Sequence, residues 1–328
     1  MRTRATRRGF SLTELGLGAA QFGNLYRETT DEQAAGAVSA AWDAGIRYFD
    51  TAPHYGLGLS ERRLGALLNQ YPRDQYRISS KVGRLLVPSP ETADRLDDQG
   101  FVVPAATRRE WDFSRDGILR SLEGTLTRTG LDYIDIVYLH DPDDHLDQAF
   151  GEGIQTLIEL REQGVIHAVG AGMKQSAALA DLIRAADIDL VMLAGRYTLL
   201  EQGAADDLMP LALERGVGVV IAGVYNSGLL SSTRPAPDAK YEYEDAPAEL
   251  IARANAIADV CERHGVTLPE VALAFPFLHP AVVSVVVGVR DAAQMNGNVA
   301  RYSAAIPAAL WSDLRASSLL PDLPLLHA

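Results

Sequence analysis

Short β-branched apolar runs alternate with longer amphipathic stretches along almost the whole chain, and few folds accommodate that pattern. Eight runs are predicted as strands: 15–20, 46–50, 76–81, 134–140, 165–170, 190–194, 217–222 and 282–288. Between them, 30–44, 60–69, 116–130, 147–163, 176–185, 203–215 and 249–264 are predicted as helices. Thr30 ahead of Asp31 and Glu32 has the form of an N-cap followed by first-turn acids, and Gly45, Gly130, Gly164 and Gly216 stand where helices should stop. Strand then helix, repeated, predicts a parallel α/β architecture, and eight strands is the number that closes a barrel. An open doubly wound sheet would need a Gly-rich phosphate loop after its first strand. Gly16-Leu17-Gly18-Ala19-Ala20-Gln21 and Gly170-Ala171-Gly172-Met173-Lys174-Gln175 both lack the third Gly. The expected fold is a single (β/α)8 TIM barrel domain over 1–328, with 1–14 an N-terminal extension or hairpin and 303–328 a C-terminal tail.

Two connections, 83–114 and 223–247, are too long for simple turns. Both leave predicted C-terminal strand ends, the rim at which barrels build their sites. The expectation is therefore of long loops around that rim.

Lys and Arg number 30 against 43 Asp and Glu, a formal net charge of −13, which argues against nucleic acid or an anionic membrane as partner. No apolar run approaches the roughly 18 residues that a membrane span needs. The lone Cys261 can form no intramolecular disulfide and suits a reducing, cytoplasmic compartment. Thr6-Arg7-Arg8-Gly9-Phe10-Ser11-Leu12 resembles a twin-arginine export signal, but Thr13-Glu14-Leu15-Gly16-Leu17-Gly18 after it is charged and weakly hydrophobic, so export is not expected.

With these strand ends, one rim gathers Asp50, Lys81 and His140, and Tyr55 lies just after Asp50. A free tyrosine, with a pKa of about 10, is a poor base at neutral pH, and a nearby ammonium should lower it. Lys81 is the natural partner, Asp50 would keep Lys81 charged and oriented, and His140 could hydrogen-bond the reacting oxygen. Such a relay suits carbonyl/alcohol interconversion. Taken singly, each of these residues is commonly just solvated or hydrogen-bonded. Their joint occurrence in Phe49-Asp50-Thr51-Ala52-Pro53-His54-Tyr55-Gly56, at Lys81 and at Leu139-His140 carries the reading.

These motifs, together with Ser60-Glu61-Arg62-Arg63-Leu64-Gly65, Ser79-Ser80-Lys81-Val82-Gly83 and Asp135-Ile136-Val137-Tyr138-Leu139-His140, resemble the aldo-keto reductase superfamily over residues 15–302. The resemblance implies an oxidoreductase that moves a hydride between NAD or NADP and an alcohol, lactol or carbonyl, with Tyr55, Lys81, Asp50 and His140 as its catalytic tetrad. Val287-Gly288-Val289-Arg290 with Gln294 and Asn298 looks like the family segment that clasps the adenosine phosphate. A guanidinium at Arg290 suits a ribose 2′-phosphate, although it could equally pair with Asp291 or a neighbouring helix residue. Three positions depart from the commoner pattern: Met173-Lys174 replaces a Ser-Asn pair, Ala194 a Gln, and Ala222 a stacking aromatic. Tyr225 in Val224-Tyr225-Asn226-Ser227-Gly228 could supply that aromatic face. The implied cofactor-binding set is Asp50, Met173, Lys174, Tyr225, Asn226, Gly228, Gly288, Arg290, Gln294 and Asn298.

Pro53-His54-Tyr55-Gly56-Leu57-Gly58-Leu59-Ser60, Ala194-Gly195-Arg196-Tyr197-Thr198-Leu199-Leu200-Glu201-Gln202 and Asn226-Ser227-Gly228 resemble the sugar dehydrogenase branch, the L-fucose and D-threo-aldose 1-dehydrogenases with the similar pyridoxal 4-dehydrogenases. That branch implies a small-molecule substrate, a free aldose oxidised to its lactone, or alternatively pyridoxal oxidised to 4-pyridoxolactone. Tyr55, His140, Arg84 and Trp111 are the expected substrate contacts. Further polar contacts could come from Lys174, Arg196 and Asn226, or stacking from Phe101 and Tyr225. A reading from another class is a non-catalytic, cofactor-binding redox sensor. His140-Asp141-Pro142-Asp143-Asp144-His145 has metal-friendly side chains without a recognised ligand spacing, so no metal is expected. Composition leaves the oligomeric state open.

Overall fold

The computed structural model of the chain describes residues 1–242 and 244–322; residues 323–328, the end of the expected tail, lie outside the described residues. Eight parallel strands close into a barrel: β1 (Leu15–Gly18), β2 (Tyr48–Asp50), β3 (Arg77–Val82), β4 (Ile136–His140), β5 (Ala168–Met173), β6 (Leu190–Ala194), β7 (Gly218–Ala222) and β8 (Val282–Gly288). Neighbours in sequence are neighbours in space, and β8 returns to pair with β1. Strands β6 and β8 coincide with the predicted runs. Strand β5 begins three residues later than predicted, because the Val165 amide still donates to Leu160 at the end of the preceding helix. In the same way Ile46 donates to Ala41 and is part of a helix end, so β2 is short.

The outer layer includes α1 (Asp31–Asp43), α2 (Leu59–Leu68), α3 (Arg115–Thr129), α4 (Ile154–Glu162), α5 (Ser176–Ala185), α6 (Leu208–Arg215), α7 (Ala248–Arg263), α8 (Leu268–Ala274), α9 (Ala292–Tyr302) and α10 (Ala308–Ala316). Thr30 caps α1 in a capping box with Gln33. The predicted 147–163 helix is interrupted: a π-helical turn, Ala149–Gly153, precedes α4.

Side chains alternate in and out along each strand. Tyr48, Ile136, Tyr138, Leu190, Met192 and Val220 belong to a cluster filling the barrel, whereas Phe49, Ile78, Val137, Leu139 and Val191 join the larger core beneath the helices. The two near-miss glycine motifs are explained by this packing. A Cβ on Gly16 would lie 2.8 Å from the Tyr48 ring, and one on Gly170 would lie 1.7 Å from the Leu190 carbonyl oxygen. The same alternation points Asp50, Lys81 and His140 inward at the C-terminal end, one layer above the buried tyrosines.

A hairpin of Thr3–Ala5 and Ser11–Thr13 covers the opposite end, with Leu12 in the interior cluster. Arg7 and Arg8, the pair resembling an export motif, are ion-paired there to Asp187 at 2.7 Å and Asp189 at 2.6 Å. The two long connections carry structure of their own. Arg84–Pro88 pairs with Thr107–Trp111 in the first, and Lys240–Tyr241 with Glu244–Asp245 in the second. Among the described residues no helix is long and apolar enough to cross a membrane.

Candidate active site

Strands β2, β3 and β4 deliver Asp50, Lys81 and His140 to the barrel mouth, where their exposures are 3%, 2% and 4%. The Lys81 Nζ donates to Asp50 Oδ2 at 2.7 Å, to the Thr51 carbonyl at 3.0 Å and to Tyr55 Oη at 3.1 Å. Tyr55 reaches this point from a tight loop after β2. There Gly56 packs backbone to backbone on Gly23, and a Cβ on Gly56 would lie 2.2 Å from the Gly23 oxygen. Beside Lys81, Ser80 donates to the fully buried Glu61, which also accepts from Thr125 at 2.7 Å and Arg128 at 2.5 Å. This network locks α2 and α3 against β3.

Below the mouth, Ser79 Oγ donates to Asp50 Oδ1 at 2.6 Å, the Tyr48 hydroxyl lies 3.0 Å from Ser79 Oγ, and the Tyr138 hydroxyl lies 3.4 Å from that of Tyr48. Ser79 stands in a motif quoted from the sequence but was given no role there, although it sits two residues before Lys81 and so shares its face. Also missed were His54, one residue before Tyr55; Asp141, which pairs with Arg84 at 2.5 Å; and Gln21. Each lies inside a segment quoted from the sequence for another residue or another reading, and that position was the available signal.

Burial drags the Lys81 ammonium toward neutrality, but Asp50 and Tyr55 outweigh it and hold the lysine charged. For Tyr55 the expectation is reversed. Burial raises its pKa by more than Lys81 lowers it, so the resting group is a protonated phenol. Burial, then Arg84 and Lys81, pushes His140 well below the usual histidine range, and burial, Arg84, Arg109 and Lys81 push His54 down to about 2.

Both imidazoles are therefore neutral when folded, but protonate at about pH 6.5 when unfolded. Below that pH the unfolded chain binds more protons, so stability is lost as the pH falls. Between about pH 6 and 5 each histidine should cost roughly 1 kcal/mol per pH unit. Urea unfolding across this range checks it; a slope as steep in His54→Gln as in the parent protein would refute the contribution of His54.

Around the rest of the mouth, the Arg84 guanidinium lies 4.3 Å from the ring centre of Trp111, which is 42% exposed. Lys174 bonds Glu242 at 3.1 Å, and the Met173 side chain packs outward into the core beneath the helices, leaving its backbone nearest the mouth. Tyr225 Oη donates to Asn298 Oδ1 at 2.8 Å, and Asn226 Nδ2 to the Gly195 carbonyl at 3.2 Å. Gly228 has a left-handed φ of 98°, and Gly288 is backed by the Gln21 amide, 2.6 Å from where a Cβ would be. Arg290 does not pair with Asp291, which caps α9. Its guanidinium donates to the Leu25 and Arg27 carbonyls and to Thr29 Oγ1, while its backbone amide donates to Gln294 Oε1 at 2.9 Å.

Gln21 Oε1 and Asn226 Oδ1 are buried without partners in the short 3-10 turns that follow β1 and β7. A ligand bearing amide and hydroxyl groups would satisfy them, and a nicotinamide nucleotide is of that kind. Among the described residues no group of three or more His, Cys, Asp or Glu is arranged to hold a metal ion.

Residues 14–318 match the aldo/keto reductase family. The chain is 49% identical over 316 residues to D-threo-aldose 1-dehydrogenase of a Pseudomonas species, covering 95% of this chain and 96% of that one. It is 39% identical over 331 residues to pyridoxal 4-dehydrogenase of Microbacterium luteolum, covering 96% of each. The holo form of an aldo-keto reductase from Bacillus halodurans superposes with a TM-score of 0.74 at 26% identity, covering 96% of both chains. Barrel, motifs and relatives agree: this chain belongs to the aldo/keto reductase family and is an oxidoreductase that works with a nicotinamide cofactor.

Proposed function

We propose that the protein oxidises the lactol form of a free aldose to its lactone, with NAD as acceptor. The observation that carries this reading is the Asp50–Lys81–Tyr55 relay opening onto a mouth lined by His140, His54, Arg84 and Asp141, in a chain 49% identical to D-threo-aldose 1-dehydrogenase. Tyr55 Oη exchanges the proton of the reacting hydroxyl, Lys81 tunes that phenol, and Asp50 fixes Lys81. Neutral His140 holds the reacting oxygen. When bound, the nicotinamide supplies the hydride acceptor. Residues 173–174, Tyr225, Asn226, Gly228, Gly288, Arg290, Gln294 and Asn298, with Asp50, are assigned to hold it. NAD is favoured over NADP because Arg290 is only 8% exposed and its guanidinium is committed to three neutral oxygens, leaving it poorly placed for a 2′-phosphate. A cytoplasmic location belongs to the same proposal and is supported by the single, buried cysteine.

The exposed Trp111 ring favours a second substrate, the flat pyridoxal, by stacking. Initial rates of reduced-cofactor formation with L-fucose, D-arabinose, L-galactose and pyridoxal, each with NAD and NADP, decide between them. The expected result is an aldose with NAD preferred over pyridoxal by about tenfold or more in kcat/KM, about 1.4 kcal/mol of transition-state discrimination. Pyridoxal preferred by that margin would reverse the assignment. Tight cofactor binding with no turnover on any of these would support the sensor reading instead.

A further inference from the structure

His54 is a polar side chain of the mouth that the relay does not use. Its ring, with those of Tyr55 and His140, forms a nearly equilateral triangle. The centroids of His54 and Tyr55 are 5.9 Å apart, those of Tyr55 and His140 are 5.9 Å apart, and those of His54 and His140 are 5.5 Å apart. The His54 ring meets Phe101 edge to face at 5.2 Å. Its backbone carbonyl accepts from Arg109 at 3.0 Å, and Arg109 is itself clamped by Asp97 through contacts of 2.5 and 3.1 Å. Both partners of that ion pair are buried, so the first long connection fixes the placement of the His54 backbone.

His54 Nδ1 is buried and has no hydrogen-bond partner. Such an atom is costly to leave unsatisfied, which points to a partner that arrives with the ligand. Burial, and then the cationic surroundings of Arg84, Arg109 and Lys81, keep the imidazole neutral. A neutral imidazole offers one donor and one acceptor, and a hydroxyl, which both gives and takes, pairs with it in either tautomer. The reacting oxygen is already assigned to Tyr55 and His140. A second oxygen on the adjacent carbon would fall within the same triangle of rings, on the side of His54.

We propose that His54 is a specificity-determining residue that hydrogen-bonds a hydroxyl on the carbon next to the reacting carbon, so that the site selects α-hydroxy aldehydes and their lactols over analogues without that hydroxyl. The inference takes its frame from the proposed roles of Tyr55 and His140 and adds a substrate class to them. A site built to bond a hydroxyl discriminates against the analogue lacking it through the group then left unpaired.

The test compares kcat/KM for substrate pairs in the parent protein, His54→Leu and His54→Gln. In oxidation the pair is an aldose and its 2-deoxy counterpart; in reduction it is glyceraldehyde and propanal. Reduced-nucleotide binding, followed by fluorescence, verifies that each variant is folded. The parent is expected to prefer the hydroxylated member by roughly 10- to 100-fold. That preference should fall to about threefold or less in His54→Leu and return in part in His54→Gln, whose amide can also donate and accept. An equal preference in the parent and His54→Leu would overturn the proposal, as would no preference in the parent. If aldoses are not oxidised while the glyceraldehyde-to-propanal ratio still follows His54, the aldose reading fails and this inference stands. If aldoses are oxidised with a preference that His54→Leu does not alter, the reverse holds.

Discussion

Replacing Tyr55 by Phe should lower kcat by about a thousandfold, within the range spanned by general acid–base catalysis, while nicotinamide cofactor binding stays within about twofold. The substitution deletes one oxygen, the acceptor of the 3.1 Å hydrogen bond from Lys81. The ring keeps its place beside Phe101, and Lys81 keeps both Asp50 and the Thr51 carbonyl, so the loss is chemical rather than structural. The protonation state of Tyr55 adds a second signature. Because burial holds the phenol protonated, oxidation must first remove that proton, whereas reduction uses it directly. Oxidative turnover in the parent should therefore rise toward alkaline pH and reductive turnover fall, and both trends should vanish from the residual activity of Tyr55→Phe. Steady-state rates in both directions across pH measure this. A kcat within tenfold of the parent would move the proton transfer to another group.

Lys81→Met should lose stability as well as activity. Lys81 and Asp50 are a buried pair, and removing the ammonium strands a carboxylate whose remaining side-chain donor is Ser79. Breaking a buried pair from one side costs about 3–5 kcal/mol, and activity should fall by at least about a hundredfold. Adding Asp50→Asn to Lys81→Met removes the stranded charge, so the double variant should melt above the single one while its turnover stays low. Thermal unfolding and kcat on the three proteins separate the two effects. A Lys81→Met protein as stable as the parent would refute the structural half, and near-parental turnover the catalytic half.

The barrel was legible because β-branched alternation encodes strands locally, and the period of two then carried Asp50, Lys81 and His140 to one face. The hairpin in the first long connection was not. Thr107-Arg108-Arg109-Glu110-Trp111 is too charged to read as a strand, and its pairing with Arg84–Pro88 spans residues that give no turn signal of fixed length. Arg290 shows a different limit. Its partners include the carbonyls of Leu25 and Arg27, and a backbone carbonyl is the same at every residue, so nothing in the sequence marks it as an acceptor. The protonated state of Tyr55 depends on burial by distant segments, which a local motif with a neighbouring lysine does not reveal.

The hydroxyls beneath Asp50 have a consequence for proton traffic. Ser79, Tyr48 and Tyr138 continue the relay downward, but the two tyrosines are fully buried, and burial holds both phenols well above their ordinary range. Among the described residues this chain leads to two phenols that resist giving up a proton, a cul-de-sac toward the floor of the barrel. On the proposed roles, every proton released in oxidation leaves by the doorway through which substrate enters and lactone departs, so buffer exchange and product escape compete for the same opening.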